Sequence, residues 1–163
     1  MALWEPKDIN LDHYYWINEV RADLDEVFTN NPECTHYEWE SERLWRFKRD
    51  RLQKEQKMHP GLSIPLSYRC GHRPDAVVHV TRGGVEHHIA LEIQLCVKTE
   101  SWFSGVWNEL LHHYEAVWYY VSPEVKEPFL KILGKWQKGE IGHSSLSTER
   151  RRCMLVYDLE QIL

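Results

Sequence analysis

Acidic and amide side chains interrupt two apolar runs between residues 72 and 98, where buried strands ordinarily carry none. Asp75 opens the first run, and Glu92 and Gln94 alternate with apolar residues in the second. Successive side chains point to opposite faces of a strand, so Glu92 and Gln94 share one face. A buried carboxylate is costly unless it is paired or binds a metal. If Asp75 and Glu92 come together, they make an oxygen-rich site that suits Mg²⁺ or Mn²⁺.

A hairpin is the element that would bring the two carboxylates together. The apolar runs flank Gly83 and Gly84, and both glycines tolerate the positive φ angles of a tight hairpin turn. We therefore predict an antiparallel hairpin within residues 72–98. Asp75 then lies near the start of one strand, and Glu92 and Gln94 lie on the other.

The same residues resemble a known nuclease core. Pro74-Asp75, a hairpin and then Glu92-Ile93-Gln94 resemble the PD-(D/E)XK superfamily, with Gln94 where that motif usually has Lys. More narrowly, the chain resembles replication-relaxation-type proteins of plasmids and integrative elements. The matching segments are residues 11–13 with the helix after them, 39–43, 72–76, 90–95 followed by Lys98, and 117–121.

The resemblance implies a fold, an activity and a set of residue roles. The fold is α/β, a mixed β-sheet flanked by helices with a restriction-endonuclease-like core. The activity is metal-dependent hydrolysis of phosphodiester bonds in DNA by a protein of a mobile element. Asp75 and Glu92 would hold Mg²⁺ (or Mn²⁺), Gln94 would orient the attacking water, and Glu19 on the first helix would support a second metal or a bound water. Glu19 on a merely solvated acidic face is the alternative.

Lys98 is the substitute for the missing lysine, within a geometric limit. A neutral amide such as Gln94 orients water but supplies no positive charge. Six residues separate Glu92 from Lys98, which is roughly 20 Å along a continuous strand. Lys98 can therefore serve only if the strand ends near Leu95 or Cys96 and the chain turns back toward the site.

Two basic patches are candidates for phosphate contact. The first lies on the helix predicted over residues 41–56 and comprises Arg43, Arg46, Lys48 and Arg49. The second is a triplet before the last predicted strand: Arg150, Arg151 and Arg152. The alternative for the first patch is that it is simply a basic face exposed to solvent. The alternative for the second is that it keeps an edge strand soluble.

Composition limits the possible domain number, cellular location and source of DNA affinity. At 163 residues a single domain is expected, and no apolar run approaches the length of a membrane span. The four cysteines form no CxxC pair, so we expect reduced thiols in a cytoplasmic protein. The net charge of −5 means that DNA affinity must come from local patches and a metal.

Three functions remain open at the level of the sequence. The first is a DNA endonuclease, and the second is a catalytically inactive DNA-binding accessory in plasmid replication, relaxation or mobilisation. The third is a protein-interaction module, favoured by eight tryptophans and the acidic balance. Homodimerisation or binding of a partner protein is left open.

Local patterns predict the order of elements around the hairpin. Residues 1–9 form a tail and Asn10 caps the first helix. After Pro123 a helix ends at Gly134, and residues 135–149 form a loop. The predicted elements are helix 11–28, strand 34–39, helix 41–56, the hairpin, helix 100–114, strand 116–121, the helix from Pro123, and strand 153–157. Strands that follow helical crossovers imply a mixed sheet with helices on its faces.

Overall fold

A mixed sheet of five strands with helices on both faces forms the protein. This architecture comes from a computed structural model that describes residues 8–162. Three short elements supplement the predicted order: the 3₁₀ turns Leu66–Arg69 and Leu159–Gln161, and the helix Thr148–Arg151. The elements are α1 (Asp8–Thr29), β1 (Cys34–Ser41), α2 (Glu42–Met58), β2 (Ala76–Arg82), β3 (Val85–Gln94), α3 (Glu100–His113), β4 (Ala116–Val121), α4 (Pro123–Gln137), α5 (Thr148–Arg151) and β5 (Met154–Asp158). The predicted order of elements and the mixed α/β class are confirmed.

The five strands lie in the sheet in chain order. Strands β1, β2 and β3 pair antiparallel, whereas β3, β4 and β5 pair parallel. Parallel neighbours need a crossover connection, which α3 provides before β4 and α4 with α5 before β5. Strand β3 is therefore central, and Glu92 lies opposite Tyr119 of β4.

The predicted hairpin is confirmed as β2 and β3. Gly83 and Gly84 have φ angles of 58° and 76°, as a two-residue turn of the primed type requires. Arg82 pairs with Val85 across this turn, and Ala76 pairs with Leu91 at the other end. This register places the start of β2 beside the part of β3 that carries Glu92.

Each face of the sheet has its own apolar core, so β2 and β3 are buried on both sides. On one face the sheet packs against α3 and α4, through residues that include Val77, Ala90, Tyr119, Phe103, Trp107 and Phe129. On the other face it packs against α1, through residues that include Val78, Leu91, Ile93, Val20 and Leu24. Glu92 shares its strand face with Ala90 and so points toward the α3 side.

The first helix begins earlier than predicted. Helix α1 starts at Asp8, so residues 8 and 9 are helical and Asn10 lies inside the helix instead of at its cap. The helix ends at Thr29, one residue after the predicted end at residue 28. The remainder of the predicted tail, residues 1–7, lies outside the described residues.

Helix α4 runs past the predicted stop. It continues through Gly134 to Gln137 because Leu133 and Trp136 are buried against the sheet, and this packing outweighs the low helix propensity of glycine. The end at Gly134 was therefore wrong. Residues 135–137 are helical, and so are residues 148 and 149 at the start of α5, so the predicted loop shortens to 138–147.

Two predictions made for the whole chain, on its cysteines and on membrane spans, can be compared with the described residues. All four cysteines are free thiols, as the absence of a disulfide pattern predicted. None of the helices described is both long enough and apolar enough to cross a membrane.

Candidate metal centre at the end of the hairpin

Asp75 connects three elements at the end of the hairpin. It directly precedes β2, and its Oδ2 accepts a hydrogen bond of 2.8 Å from the main-chain N–H of Ile93 in β3. The same oxygen lies 3.2 Å from Nε2 of His13 on α1. Its carbonyl oxygen accepts from the N–H of Glu42 at 3.2 Å, where α2 begins. The Asp75 carboxylate is therefore held in a fixed position beside β3.

Glu92 is the buried partner of Asp75. Its side chain is only 7% exposed, and its Oε1 lies 3.0 Å from Nε2 of His72. Burial, and after it the charge of Asp75, raises the pKa of Glu92 to about 7, although His72 and His13 act in the opposite direction. Both carboxylates line the same groove, where the charge of Asp75 disfavours ionisation of Glu92.

Two histidines balance the carboxylates, and sequence reasoning assigned neither of them to this site. The hydrogen bond to Asp75 is the main cause that raises the pKa of His13. Burial is the largest single effect on the pKa of His72 and lowers it, but the hydrogen bond to Glu92 and the charges of Glu92 and Asp75 together outweigh burial, so that pKa is also raised. His13 is separated from Asp75 by 62 positions, and no spacing pattern connects residues that far apart.

Lys98 meets the geometric condition set by the sequence. Strand β3 ends at Gln94, and Lys98 lines the same groove as both carboxylates, with its Nζ 5.8 Å from the ring centre of Trp102. Gln94 is buried, and its Nε2 donates to the carbonyl of Cys96 at 2.5 Å. The groove has a volume of about 270 Å³ and is open to solvent.

Glu19 lies half-buried on α1 and is not among the residues that line this groove. His13, six positions earlier on the same helix, is the α1 residue that contacts Asp75. The supporting role of Glu19 therefore stays a prediction without a contact of its own.

A second, larger groove meets the first at Asp75. It lies between α1 and α2 and has a volume of about 630 Å³. Its lining includes the exposed aromatic rings of Tyr14 and Phe47. Asp75 lines both grooves, so the two grooves adjoin at this carboxylate.

The four basic residues predicted on α2 divide into two pairs. Lys48 donates to the buried carboxylate of Glu40 at 3.1 Å, and the guanidinium of Arg49 lies 5.0 Å from the ring centre of Trp45. These two are engaged within the protein. The other two, Arg43 and Arg46, line the large groove, although Arg46 also lies 3.4 Å from the carboxylate of Glu42.

The arginine triplet before β5 is mostly engaged within the protein. Arg151 donates to the carbonyl of Trp136 at 3.1 Å, and Arg152 is exposed. Arg150 donates at 2.6–2.8 Å to three main-chain carbonyls at the end of α3, those of Leu111, Tyr114 and Glu115. Arg150 and Arg151 thus stabilise the fold. Arg152, whose side chain is exposed, is the member of the triplet that is best placed to contact phosphate.

The donor set at Asp75 and Glu92 fits a hard cation. Mg²⁺ commonly takes one or two carboxylates and keeps several waters or phosphate oxygens, so two carboxylates suffice. Among the described residues, clusters of three close ligand groups lie elsewhere: Cys70 with Glu109 and His113, and His79 with Glu86 and His88. Such imidazole and thiol groups suit softer metals than Mg²⁺.

Comparison with known proteins gives no family assignment. The chain matches no protein-family model, no curated protein and no solved structure.

Proposed function

We propose that this protein is a Mg²⁺- or Mn²⁺-dependent endonuclease of the PD-(D/E)XK, restriction-endonuclease-like class, which hydrolyses phosphodiester bonds in DNA. The observation that carries the proposal is the pair of carboxylates at the hairpin end, Asp75 and a buried Glu92 whose pKa is raised to about 7. A perturbed carboxylate pair in an open groove is typical of a functional site. The likeness to replication-relaxation-type proteins would place it in a plasmid or integrative element.

Each residue of the groove has a role in this proposal. A Mg²⁺ ion on Asp75 and Glu92 supplies Lewis acidity and lowers the pKa of a bound water. Gln94 donates its amide N–H to Cys96, which leaves its amide oxygen free to accept from a water and orient it. Lys98 adds positive charge beside the phosphate. His13 and His72 offset the carboxylate charges when no cation is present.

A DNA strand would approach through the larger groove. Arg43 and Arg46 supply positive charge along its wall, and Tyr14 and Phe47 offer ring faces on which bases can stack. Phe47 is 63% exposed and Tyr14 is 56% exposed, so both rings are accessible for stacking.

One observation favours a second function, a catalytically inactive DNA-binding accessory. Gln94 replaces the motif lysine, and its amide is held by the carbonyl of Cys96. A groove of this shape with a weakened catalytic set still binds a metal and phosphates. The accessory would keep DNA affinity and metal binding but lack cleavage.

Cleavage of plasmid and short duplex DNA in Mg²⁺ or Mn²⁺ tests the proposal. The variant Glu92→Gln keeps the shape of the side chain and a hydrogen bond to His72 but removes the charge that binds the cation. Several kcal/mol of transition-state stabilisation depend on the metal, so we expect the rate to fall by at least about a hundredfold.

The matched control is Glu127→Gln, the same change at an exposed position of α4. Its rate should equal that of the wild type, and a chelator should abolish cleavage by both. Cleavage that persists in Glu92→Gln contradicts the proposed site. DNA binding without cleavage in any metal supports the accessory instead.

A further inference from the structure

A pair of histidines faces each other across the middle of the hairpin, on a part of it that the proposed nuclease chemistry does not use. His79 of β2 and His88 of β3 are directly opposite partners in the antiparallel register. Their Nδ1 atoms lie 2.7 Å apart, and their rings meet edge to face with centres 4.9 Å apart. Only one hydrogen fits between two ring nitrogens at this distance, so one Nδ1 presents a lone pair.

A buried carboxylate decides which histidine presents that lone pair. Glu40 of β1 is fully buried, and its Oε2 lies 2.8 Å from Nε2 of His79. A carboxylate only accepts, so His79 carries its hydrogen on Nε2 and its Nδ1 is free to act as a ligand. Such a carboxylate behind a histidine is the usual support of a metal-binding imidazole.

The buried carboxylate of Glu40 is held by three side chains, one of which is His79. Lys48 and Tyr68 donate to the same oxygen as His79, at 3.1 and 3.0 Å. The position and tautomer of His79 are therefore fixed by a network that reaches into the core.

Glu86 completes the cluster. It lies two residues before His88 on β3, so both side chains point to the same face of the strand. One ligand atom from each of His79, His88 and Glu86 lies within 4.8 Å of the others. The Glu86 side chain is 58% exposed, so an ion can reach the cluster directly from solvent.

We propose that His79, His88 and Glu86 bind a divalent transition-metal ion of the zinc class, with Glu40 as the positioning residue for His79. Two imidazole nitrogens and a carboxylate oxygen are common zinc ligands, and three protein ligands leave the fourth position to water. Two nitrogens on one tetrahedral ion are about 3.3 Å apart, so binding through both Nδ1 atoms needs them to separate by roughly 0.6 Å. The hydrogen between them must then leave Nδ1 of His88, which binds the ion as its Nε2–H tautomer. This site differs in ligand chemistry from the carboxylate pair at the hairpin end and does not depend on the proposed nuclease activity.

The other cluster of the described residues is a poorer zinc site because its groups are already engaged. Burial raises the pKa of the Cys70 thiol to about 12, which opposes the thiolate that zinc requires. Nδ1 of His113 donates to the carbonyl of Glu109 at 2.7 Å. The carboxylate of Glu109 accepts from the N–H of Gly71 at 2.7 Å. We therefore assign the ion to the His79 cluster.

Titration with Zn²⁺, and with Co²⁺ as a visible-spectrum probe, tests the site in the presence of excess Mg²⁺. We expect one Co²⁺ per chain with the d–d absorption of a nitrogen-ligated ion. His88→Ala should weaken binding by more than the about 10–100-fold typical of losing a supporting residue, because it removes a ligand itself. Glu86→Gln, an exposed change that leaves folding intact, should weaken it in the same direction.

The matched control is His87→Ala, one position away on the opposite strand face, where His87 contacts Glu115 at 2.6 Å. This variant should bind Co²⁺ and Zn²⁺ as the wild type does. Glu40→Gln should lower affinity while the d–d band keeps its position, because the ligands are unchanged. Equal weakening by His87→Ala and His88→Ala, or no binding by the wild type, overturns the proposal.

Discussion

The protonation of Glu92 links the free energy of unfolding to pH and, at the proposed site, to cation binding. Its pKa is raised to about 7 from an ordinary value of 4.5, mainly by burial and then by the charge of Asp75. Between these values the folded chain binds more protons than the unfolded chain, so a rise in pH lowers the free energy of unfolding. The stabilising contribution is complete below pH 4.5 and is lost as the pH rises through about 7. A divalent cation at the proposed site would restore stability, because it would bind only the ionised form.

We predict that Mg²⁺ affinity increases with pH up to about 7 and then levels off, because the cation must displace the Glu92 proton. Below that pH the affinity should fall by up to about tenfold per pH unit. Loss of positive charge from His13 and His72 acts in the same direction as the pH rises. Isothermal titration calorimetry at a series of pH values measures this profile.

The exposed-site variant Glu127→Gln should give the same profile as the wild type. Affinity that does not change between about pH 5 and about 8 would mean that Glu92 is not a ligand, since its ionisation would then be irrelevant to binding.

The sequence predicts the positions of those site residues that depend on the pattern within a single strand. Strand alternation placed Glu92 and Gln94 on one face, and both are buried there. It could not find His13 or His88, because each acts through a partner that only the tertiary fold or the register brings near. His87 and His88 are adjacent in the sequence, but the side chain that His88 contacts is His79 on the neighbouring strand.

At the scale of elements, α2 carries the basic surface that the proposed DNA groove needs. Ser41 caps this helix by accepting from the N–H of Leu44 at 3.3 Å. The capped end starts beside Asp75, since the N–H of Glu42 donates to the Asp75 carbonyl. The first turns of the helix therefore lie next to the carboxylate pair.

We predict that the double variant Arg43→Glu/Arg46→Glu weakens binding to all DNA sequences alike. Each phosphate contact releases condensed counterions, so losing two contacts should reduce the slope of log affinity against log salt by about 2. Fluorescence anisotropy with labelled duplexes at several salt concentrations measures both effects.

The control is Lys54→Glu/Lys57→Glu, the same charge change in exposed residues nearer the other end of α2 and away from the groove lining. It should alter affinity less and leave the salt slope nearly unchanged. If both double variants behave alike, the effect reflects net charge alone and the groove is not the DNA path.

Two glycine-containing segments show when a local sequence pattern predicts the observed backbone. The Gly83-Gly84 turn was predictable because its backbone angles are a property of the two residues themselves. Gly134 was misjudged because its weak helix propensity opposes the burial of Leu133 and Trp136, which favours one more turn of helix. Local propensity determines a boundary only where tertiary packing is neutral.

For the whole molecule, the pattern of helices and strands predicted a mixed sheet but not its strand order. Strand β5 joins the sheet by pairing parallel to β4, after a connection through α4, residues 138–147 and α5. The last strand is held by long-range contacts that no local pattern encodes. Arg150 on α5 makes one set of these long-range contacts, because its guanidinium donates to carbonyls at the end of α3 and just before β4.

We predict that Arg150→Ala lowers the free energy of unfolding by about 1–3 kcal/mol, because it removes charged hydrogen bonds to part-buried carbonyls that water replaces incompletely. Urea denaturation followed by circular dichroism measures the change. Arg152→Ala is the matched control, two positions away at an exposed side chain, and should change stability by no more than about 0.5 kcal/mol. If Arg150→Ala leaves stability unchanged but weakens DNA binding, Arg150 is a phosphate contact and the α5–α3 connection does not hold the last strand in place.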